Sequence, residues 1–229
     1  RDGGGRLPIE VCGPMRGGRV KVDGSMSSQF VTGLLIALPV AQRDTTIEVE
    51  GAVSTPYIDM TLDTLKRFGV EVLYHEGDYT QFYIEGGQRY KPVDYTIESD
   101  WSSAAAIMVA AAIAGEVTVK NISTLSRQAD TAICRALERA GASIIIEESA
   151  ITVAHRSLEA FEFDATNCPD LFPVLVALAA AAEGVSTIRG IGRLRGKESD
   201  RGEVLKSEYG KLGIDIELDE EEDVMRIVG

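Results

Sequence analysis

The sequence repeats itself. Gly69, Gly141 and Gly213 stand 72 residues apart, and each opens the same kind of text: Gly-Val-Glu-Val, Gly-Ala-Ser-Ile, Gly-Ile-Asp-Ile. An amphipathic stretch precedes each glycine, over residues 58–68, 129–140 and 203–212. Apolar residues recur there at every third or fourth position, as in Ile58, Leu62 and Leu65 or Ile133 and Leu137. That period is helical. A glycine directly after it fits the position that ends a helix, where positive φ meets no Cβ clash. A fixed long period means one supersecondary unit used several times, and any fold must accommodate it.

The match extends upstream. An alternating segment (residues 19–22, 94–97 and 161–163) predicts a strand, followed by a polar turn and an apolar helix over 30–38, 104–113 and 172–182. These helices are rich in Ala, Leu and Val nearly all round and are expected to be buried. A second strand follows at 46–49, 117–120 and 186–189, and a closing strand at 82–84, 151–154 and 225–228. The predicted fold is α/β (α+β), a β-α-β-α-β-β unit occurring three times. Residues 7–11 read as the closing strand of a preceding unit, so the chain is expected to begin inside a repeat array, with room for another unit after Gly229.

Composition narrows the function. The formal charge is −13, from 23 Lys and Arg against 36 Asp and Glu. That balance argues against nucleic-acid binding but leaves room for a small anion where cations gather. Cys12, Cys134 and Cys168 are widely spaced, and the two histidines, His75 and His155, lie far apart. Neither a disulfide framework nor a metal centre is expected, which points to the cytoplasm. No long apolar run predicts a membrane span. The first residue is Arg1 and no signal-peptide pattern follows it. Processing or excision is the expected reason for that start, the alternative being a complete three-unit protein with a loose N-terminal arm.

Three places can carry chemistry. Ser27, Ser28 and Gln29 stand where a strand turns into a helix, and such a start offers N–H groups and a positive dipole end to an anion. The same serines serve equally as a helix cap, and Ser102-Ser103 is read as a cap outright. The segment from Arg189 to Arg201 carries five cations (Arg189, Arg193, Arg195, Lys197, Arg201) in thirteen residues, with Gly190, Gly192 and Gly196 among them. It is either a phosphate or carboxylate grip or a salt-bridged surface face. Asp170 follows Pro169 at the equivalent helix start of the third unit, as a general base or as an acidic cap. Cys168 beside it is read as inert, and the acidic run 219–223 as a solvated hairpin tip.

Four motifs together, Asp23-Gly-Ser-Met-Ser-Ser-Gln-Phe30, Ser54-Thr-Pro-Tyr-Ile-Asp59, Cys168-Pro-Asp170 and Arg195-Gly-Lys-Glu-Ser-Asp-Arg201, resemble the 3-phosphoshikimate 1-carboxyvinyltransferase (EPSP synthase) family in order along the chain. The resemblance implies two domains of three β-α-β-α-β-β units each, closing on their ligands. Residues 1–96 would then be the last unit of one domain, with the end of a preceding unit at 1–13. Residues 97–229 would be the first two units of the other, with a hinge near 97–100. The implied reaction moves the carboxyvinyl group of phosphoenolpyruvate to the 5-hydroxyl of shikimate 3-phosphate and releases phosphate, without metal or cofactor.

By the same resemblance, Ser27, Ser28, Gln29, Ser54 and Tyr57 contact shikimate 3-phosphate, and Lys197 holds it too. Asp170 faces the reacting hydroxyl as base, Glu198 handles the proton of the phosphoenolpyruvate methylene, and Arg201 binds that substrate's anionic groups. Arg193 is a further substrate contact, standing where many members carry Asn or His. The implied partners are the two substrates alone, with neither nucleic acid nor membrane, in a monomeric parent. The family's N-terminal Lys-Ser-Arg segment and its late basic residues have no counterpart here, so this polypeptide alone is expected to be inactive. The competing readings are a UDP-N-acetylglucosamine enolpyruvyl transferase and a noncatalytic anion-binding paralogue.

Overall fold

The computed structural model describes residues 12–195 and 199–229. The chain divides into two compact units. The first takes the residues up to Val53 together with Thr61–Asp94, and the second takes Ser54–Met60 and Tyr95–Gly229.

In the first unit, β1 (Gly18–Asp23) runs parallel to β2 (Thr45–Glu50), with α1 (Gln29–Ala37) and a short 3-10 turn as the crossover. Parallel neighbours need such a crossover. After α2 (Thr55–Arg67), β3 (Gln81–Ile84) pairs antiparallel with β2, giving the order β1-β2-β3. Every second residue of β2, from Thr45 through Ile47 to Val49, is buried, as are Phe82 and Ile84 opposite. That is the period-2 pattern of a sheet with one covered face.

The second unit holds two sheets. Behind α3 (Trp101–Ala114), β4 (Glu116–Lys120), α4 (Ile133–Arg139), β5 (Ser143–Ile146) and β6 (Ala150–Ala154) form the order β4-β6-β5. Next come β7 (Glu162–Asp164), α5 (Phe172–Ala180), β8 (Val185–Arg189), α6 (Arg201–Gly210), β9 (Asp215–Asp219) and β10 (Val224–Val228), in the order β7-β8-β10-β9. The helices α3 and α5 pack on each other. Ala105, Met108 and Ala112 of α3 join Phe172, Leu175 and Val176 of α5, with Ile151, Ile188, Met225 and Ile227 from the strands, in one core.

The repeat survives in three dimensions. Gly69, Gly141 and Gly213 have φ of 75°, 83° and 83°. Each helix ends identically: the N–H after the glycine bonds the carbonyl five residues back (Val70 to Leu65, Ala142 to Leu137, Ile214 to Tyr209). The glycine N–H bonds the carbonyl three back. This is the Schellman termination, which satisfies carbonyls that the helix leaves open. A Cβ on Gly213 would meet nothing within 4 Å, so Gly213→Ala costs only backbone strain. The expected loss is about 1–2 kcal/mol, and less for Gly213→Asn, which tolerates this conformation. Urea denaturation of both variants measures the difference.

The structure corrects several local expectations. Residues 94–97 belong to no named strand; all four side chains are exposed, Ile97 at 84%. A segment that buries neither face lacks the one-sided burial that fixes a strand in a sheet. After Gly69 the expected strand shrinks to a single bridge between Leu73 and Tyr83. The helix α1 is not buried all round: Val31 and Leu35 are, while Phe30 and Ile36 are more than half exposed. Burial follows an i,i+4 stripe there, and composition overstates it. At α3 the cap is Asp100, which accepts from the Ser102 N–H and from the hydroxyls of Ser102 and Ser103. The serines therefore serve the cap without being it. Residues 7–11, expected as a preceding closing strand, lie outside the described residues. Among the described residues, no helix is long and apolar enough to cross a membrane.

Candidate active site

The start of α1 is built by a tight turn after β1. Asp23 accepts from both the N–H and the hydroxyl of Ser25, at 2.9 and 2.6 Å. These bonds hold its carboxyl below the usual carboxylate range, the hydroxyl bond first. A Cβ at Gly24 would lie 2.8 Å from Val49 Cγ1 and 3.1 Å from the Ala52 Cα, so only glycine lets the turn pass the end of β2. The Gln29 N–H donates to Ser27 Oγ at 3.2 Å. Ser28 occupies the cap position, yet its side chain makes no cap bond, although the residue is only 6% exposed. The cap alternative thus fails for the Ser28 hydroxyl. In this unit Ser27, Ser28 and Gln29 share one helix start.

The other candidates that the structure describes lie in the second unit. Ser54 adopts φ of +51°, a left-handed conformation uncommon outside glycine. It is buried, accepts from the Arg193 guanidinium at 3.1 Å through Oγ, and takes the Tyr57 N–H on its carbonyl. Strained backbone of this kind concentrates at functional sites. Burial pulls the Arg193 guanidinium below its ordinary value, and the Asp170 carboxylate works in the opposite direction.

The Tyr57 hydroxyl donates to Asp130 Oδ2 at 2.6 Å. Burial, then this bond and the charge of Asp130, push the phenol far above its ordinary value. Asp130 itself is 3% exposed, and burial raises its carboxyl while the Tyr57 bond opposes the rise. Asp170 sits in the 3-10 turn Pro169–Leu171 that leads into α5. It bonds no helix N–H. Its Oδ1 meets the Arg201 guanidinium at 2.7 Å, with the side chains 47% and 29% exposed. Arg201 opens α6, which Asp200 caps by accepting from the N–H groups of Gly202 and Glu203.

The basic segment divides into two groups. Arg189 donates to the Glu222 carbonyl, and Arg195 pairs with Asp200 and Glu220. Asp223 Oδ1 accepts the Gly192 N–H at 2.7 Å. The acidic run at 219–223 is the tip of the β9–β10 hairpin, exposed at 220–222 as expected, and it also braces the basic loop. That assigns Arg189 and Arg195 to structure and leaves Arg193 and Arg201 facing Ser54 and Asp170. Lys197 and Glu198 lie outside the described residues. Cys168 is 4% exposed, and burial first of all pushes its thiol up to about 12, which removes it as a nucleophile at neutral pH. Cys12, Cys134 and Cys168 are free. Among the described residues, no group of three His, Cys, Asp or Glu side chains could hold a metal ion.

Gln128 and Asp130 escaped the sequence reading. Gln128 accepts from the Trp101 N–H at 2.9 Å and donates to the Ser99 carbonyl at 2.8 Å, tying together the entry to α3. The repeat register carried the missing signal. Tyr57 and Arg201 each stand twelve residues before a helix-ending glycine, and the equivalent of the middle unit is Ala129, between these two residues.

The arrangement is that of an enolpyruvyl transferase in fold. It superimposes on the enolpyruvyl transferase NikO from Streptomyces tendae with a TM-score of 0.67 at 18% identity, covering 92% of this chain and 51% of that one. The EPSP synthase structure from Acinetobacter baumannii gives 0.69 at 27% identity, covering 93% and 49%. The chain belongs to the EPSP synthase (3-phosphoshikimate 1-carboxyvinyltransferase) family, which matches residues 1–229. Relatives named 3-phosphoshikimate 1-carboxyvinyltransferase include that of Methanosarcina acetivorans, 41% identical over 99% of this chain and 54% of its own length. That of Serratia proteamaculans is 42% identical over 96% of this chain and 51% of its own. The chain spans about half the length of the curated relatives it matches.

Proposed function

We propose that the full-length polypeptide carrying this sequence transfers the carboxyvinyl group of phosphoenolpyruvate to the 5-hydroxyl of shikimate 3-phosphate and releases phosphate. The observation that supports this most is the 2.7 Å contact between Asp170 and Arg201. It joins two motifs that are 31 residues apart in sequence, and it sets a candidate base against a candidate anion-binding cation.

In this reading Asp170 takes the proton of the 5-hydroxyl as its oxygen attacks the phosphoenolpyruvate C2, and Glu198 delivers a proton to the methylene. The tetrahedral intermediate then loses a methyl proton and phosphate, which restores the vinyl group. Arg201 binds the anionic groups of phosphoenolpyruvate. Arrival of that anion draws the guanidinium away from Asp170 and frees the carboxylate to act as a base. Ser27, Ser28, Gln29, Ser54, Tyr57, Arg193 and Lys197 bind shikimate 3-phosphate. We assign the hinge to residues 97–100, the segment ending at the Asp100 cap. The enzyme acts in the cytoplasm as a monomer, and a net charge of −13 supports the exclusion of nucleic acid as a partner.

Phosphate release by the full-length polypeptide tests this. Release is expected only when shikimate 3-phosphate and phosphoenolpyruvate are both present. Release that instead requires UDP-N-acetylglucosamine, or none with either acceptor, rejects the assignment.

A further inference from the structure

Asp130 is the most deeply buried acid among the described residues that touches a proposed substrate contact. It is 3% exposed, and its Oδ2 accepts the Tyr57 proton at 2.6 Å. Its Oδ1 is buried without a hydrogen-bond partner, and no cation pairs with it among the described residues. The charges that reach it, those of Asp170 and Asp100, are of its own sign. A carboxylate buried in this way is costly, and a bare structural brace does not require one. The repeat adds an independent argument. Asp130 follows the middle-unit equivalent of Tyr57 and Arg201, so it stands at the second-helix start of its unit, as those two residues do in theirs.

We propose that Asp130 is a positioning residue that fixes the polarity of Tyr57. A tyrosine hydroxyl has one proton. With that proton given to Asp130, the oxygen can only accept from any other group. A phosphate oxygen offers no proton at neutral pH, so Tyr57 meets shikimate 3-phosphate at a ring hydroxyl and not at its phosphate. Asp130 thereby selects an acceptor substrate that carries a hydroxyl donor at this point of the ring. A site built to hydrogen-bond a substrate hydroxyl discriminates strongly against an analogue lacking it, because the protein group is then left unpaired. The inference rests on the proposed role of Tyr57 as a shikimate 3-phosphate contact.

The test uses the full-length polypeptide, its Tyr57→Phe and Asp130→Asn variants, and dissociation constants for shikimate 3-phosphate and for its 4-deoxy and 5-deoxy analogues. Because the 5-hydroxyl proton goes to Asp170, the wild type is expected to bind the 4-deoxy analogue about tenfold more weakly than the parent ligand, and the 5-deoxy analogue serves as the control. Tyr57→Phe should lose about the same factor on the parent ligand and nothing further on the 4-deoxy analogue. Asp130→Asn, whose amide can donate to the phenol and release its proton, should shrink the discrimination in the same way. Ultraviolet titration without ligand, taken as the difference from Tyr57→Phe, should show the phenol ionising at lower pH in Asp130→Asn. A merely structural acid would lower the melting temperature and leave the discrimination at its wild-type value, which overturns the proposal. So does a wild type that binds the 4-deoxy analogue as tightly as shikimate 3-phosphate. A wild type that binds shikimate 3-phosphate in no assay rejects the substrate assignment itself. The phenol titration then still reports whether Asp130 holds the Tyr57 proton, so the two failures are told apart.

Discussion

Replacing Asp170 by Asn in the full-length polypeptide should lower turnover by roughly 10²–10⁴-fold, the range that a positioned general base supplies. The fold should barely notice. The Asp170 side chain is 47% exposed, and that of Arg201, which it meets, is 29% exposed. An ion pair that open to solvent contributes about 0–1 kcal/mol. The direction of the KM change adds a second check. Asp170 competes with phosphoenolpyruvate for Arg201, so its removal takes one competitor away. The KM for that substrate should therefore stay level or fall while kcat collapses. A kcat within a few-fold of wild type moves the base elsewhere, and a collapse with a large rise in KM makes Asp170 a binding group.

The largest stability effect is expected at Trp101. The residue is 1% exposed and opens α3, and its indole N–H donates to the Ser123 carbonyl at 3.1 Å. Its own backbone N–H is held by Gln128, two residues before Asp130. Trp101→Ala leaves a ring-sized cavity and removes the indole donor from the Ser123 carbonyl, which keeps the Ser126 N–H. The cost should be about 3–5 kcal/mol, a large share of the roughly 5–15 kcal/mol that holds a domain together. For a chain of this size that corresponds to a fall of about 6–20 °C in melting temperature. Trp101→Phe keeps most of the packing and loses the donor, so it should cost about 1–3 kcal/mol. Thermal denaturation followed by far-UV circular dichroism separates the variants. A loss below about 1 kcal/mol for Trp101→Ala would show that the entry to α3 is not the packed joint described above.

The repeat was legible because its markers are local. A positive-φ glycine after an amphipathic helix is a requirement of a single turn, and three equivalent turns at equal spacing disclose the whole unit. The candidate residues at helix starts were legible for the same reason. What the sequence hid depends on partners far along the chain. Nothing near residues 94–97 tells that a strand-like alternation stays exposed on both faces. The assignment of Arg189 and Arg195 to structure is decided by Glu220, Glu222 and Asp200, and two of those acids stand some 25–33 residues downstream. Charge density alone could not separate the cations braced by these acids from the two that meet Ser54 and Asp170. Asp130 was hidden differently: a lone acid in Gln-Ala-Asp carries no motif, and only the threefold register connects it to Tyr57 and Arg201.

The central claim is that Asp170 and Arg201, paired at 2.7 Å, part to receive the two substrates. A crystal structure of the full-length polypeptide with shikimate 3-phosphate and a nonreacting phosphoenolpyruvate analogue tests it most directly. The account predicts the 5-hydroxyl within hydrogen-bond distance of the Asp170 carboxylate and the Arg201 guanidinium on the analogue's anionic groups. Ligands seated elsewhere, with the 2.7 Å ion pair intact, would contradict it.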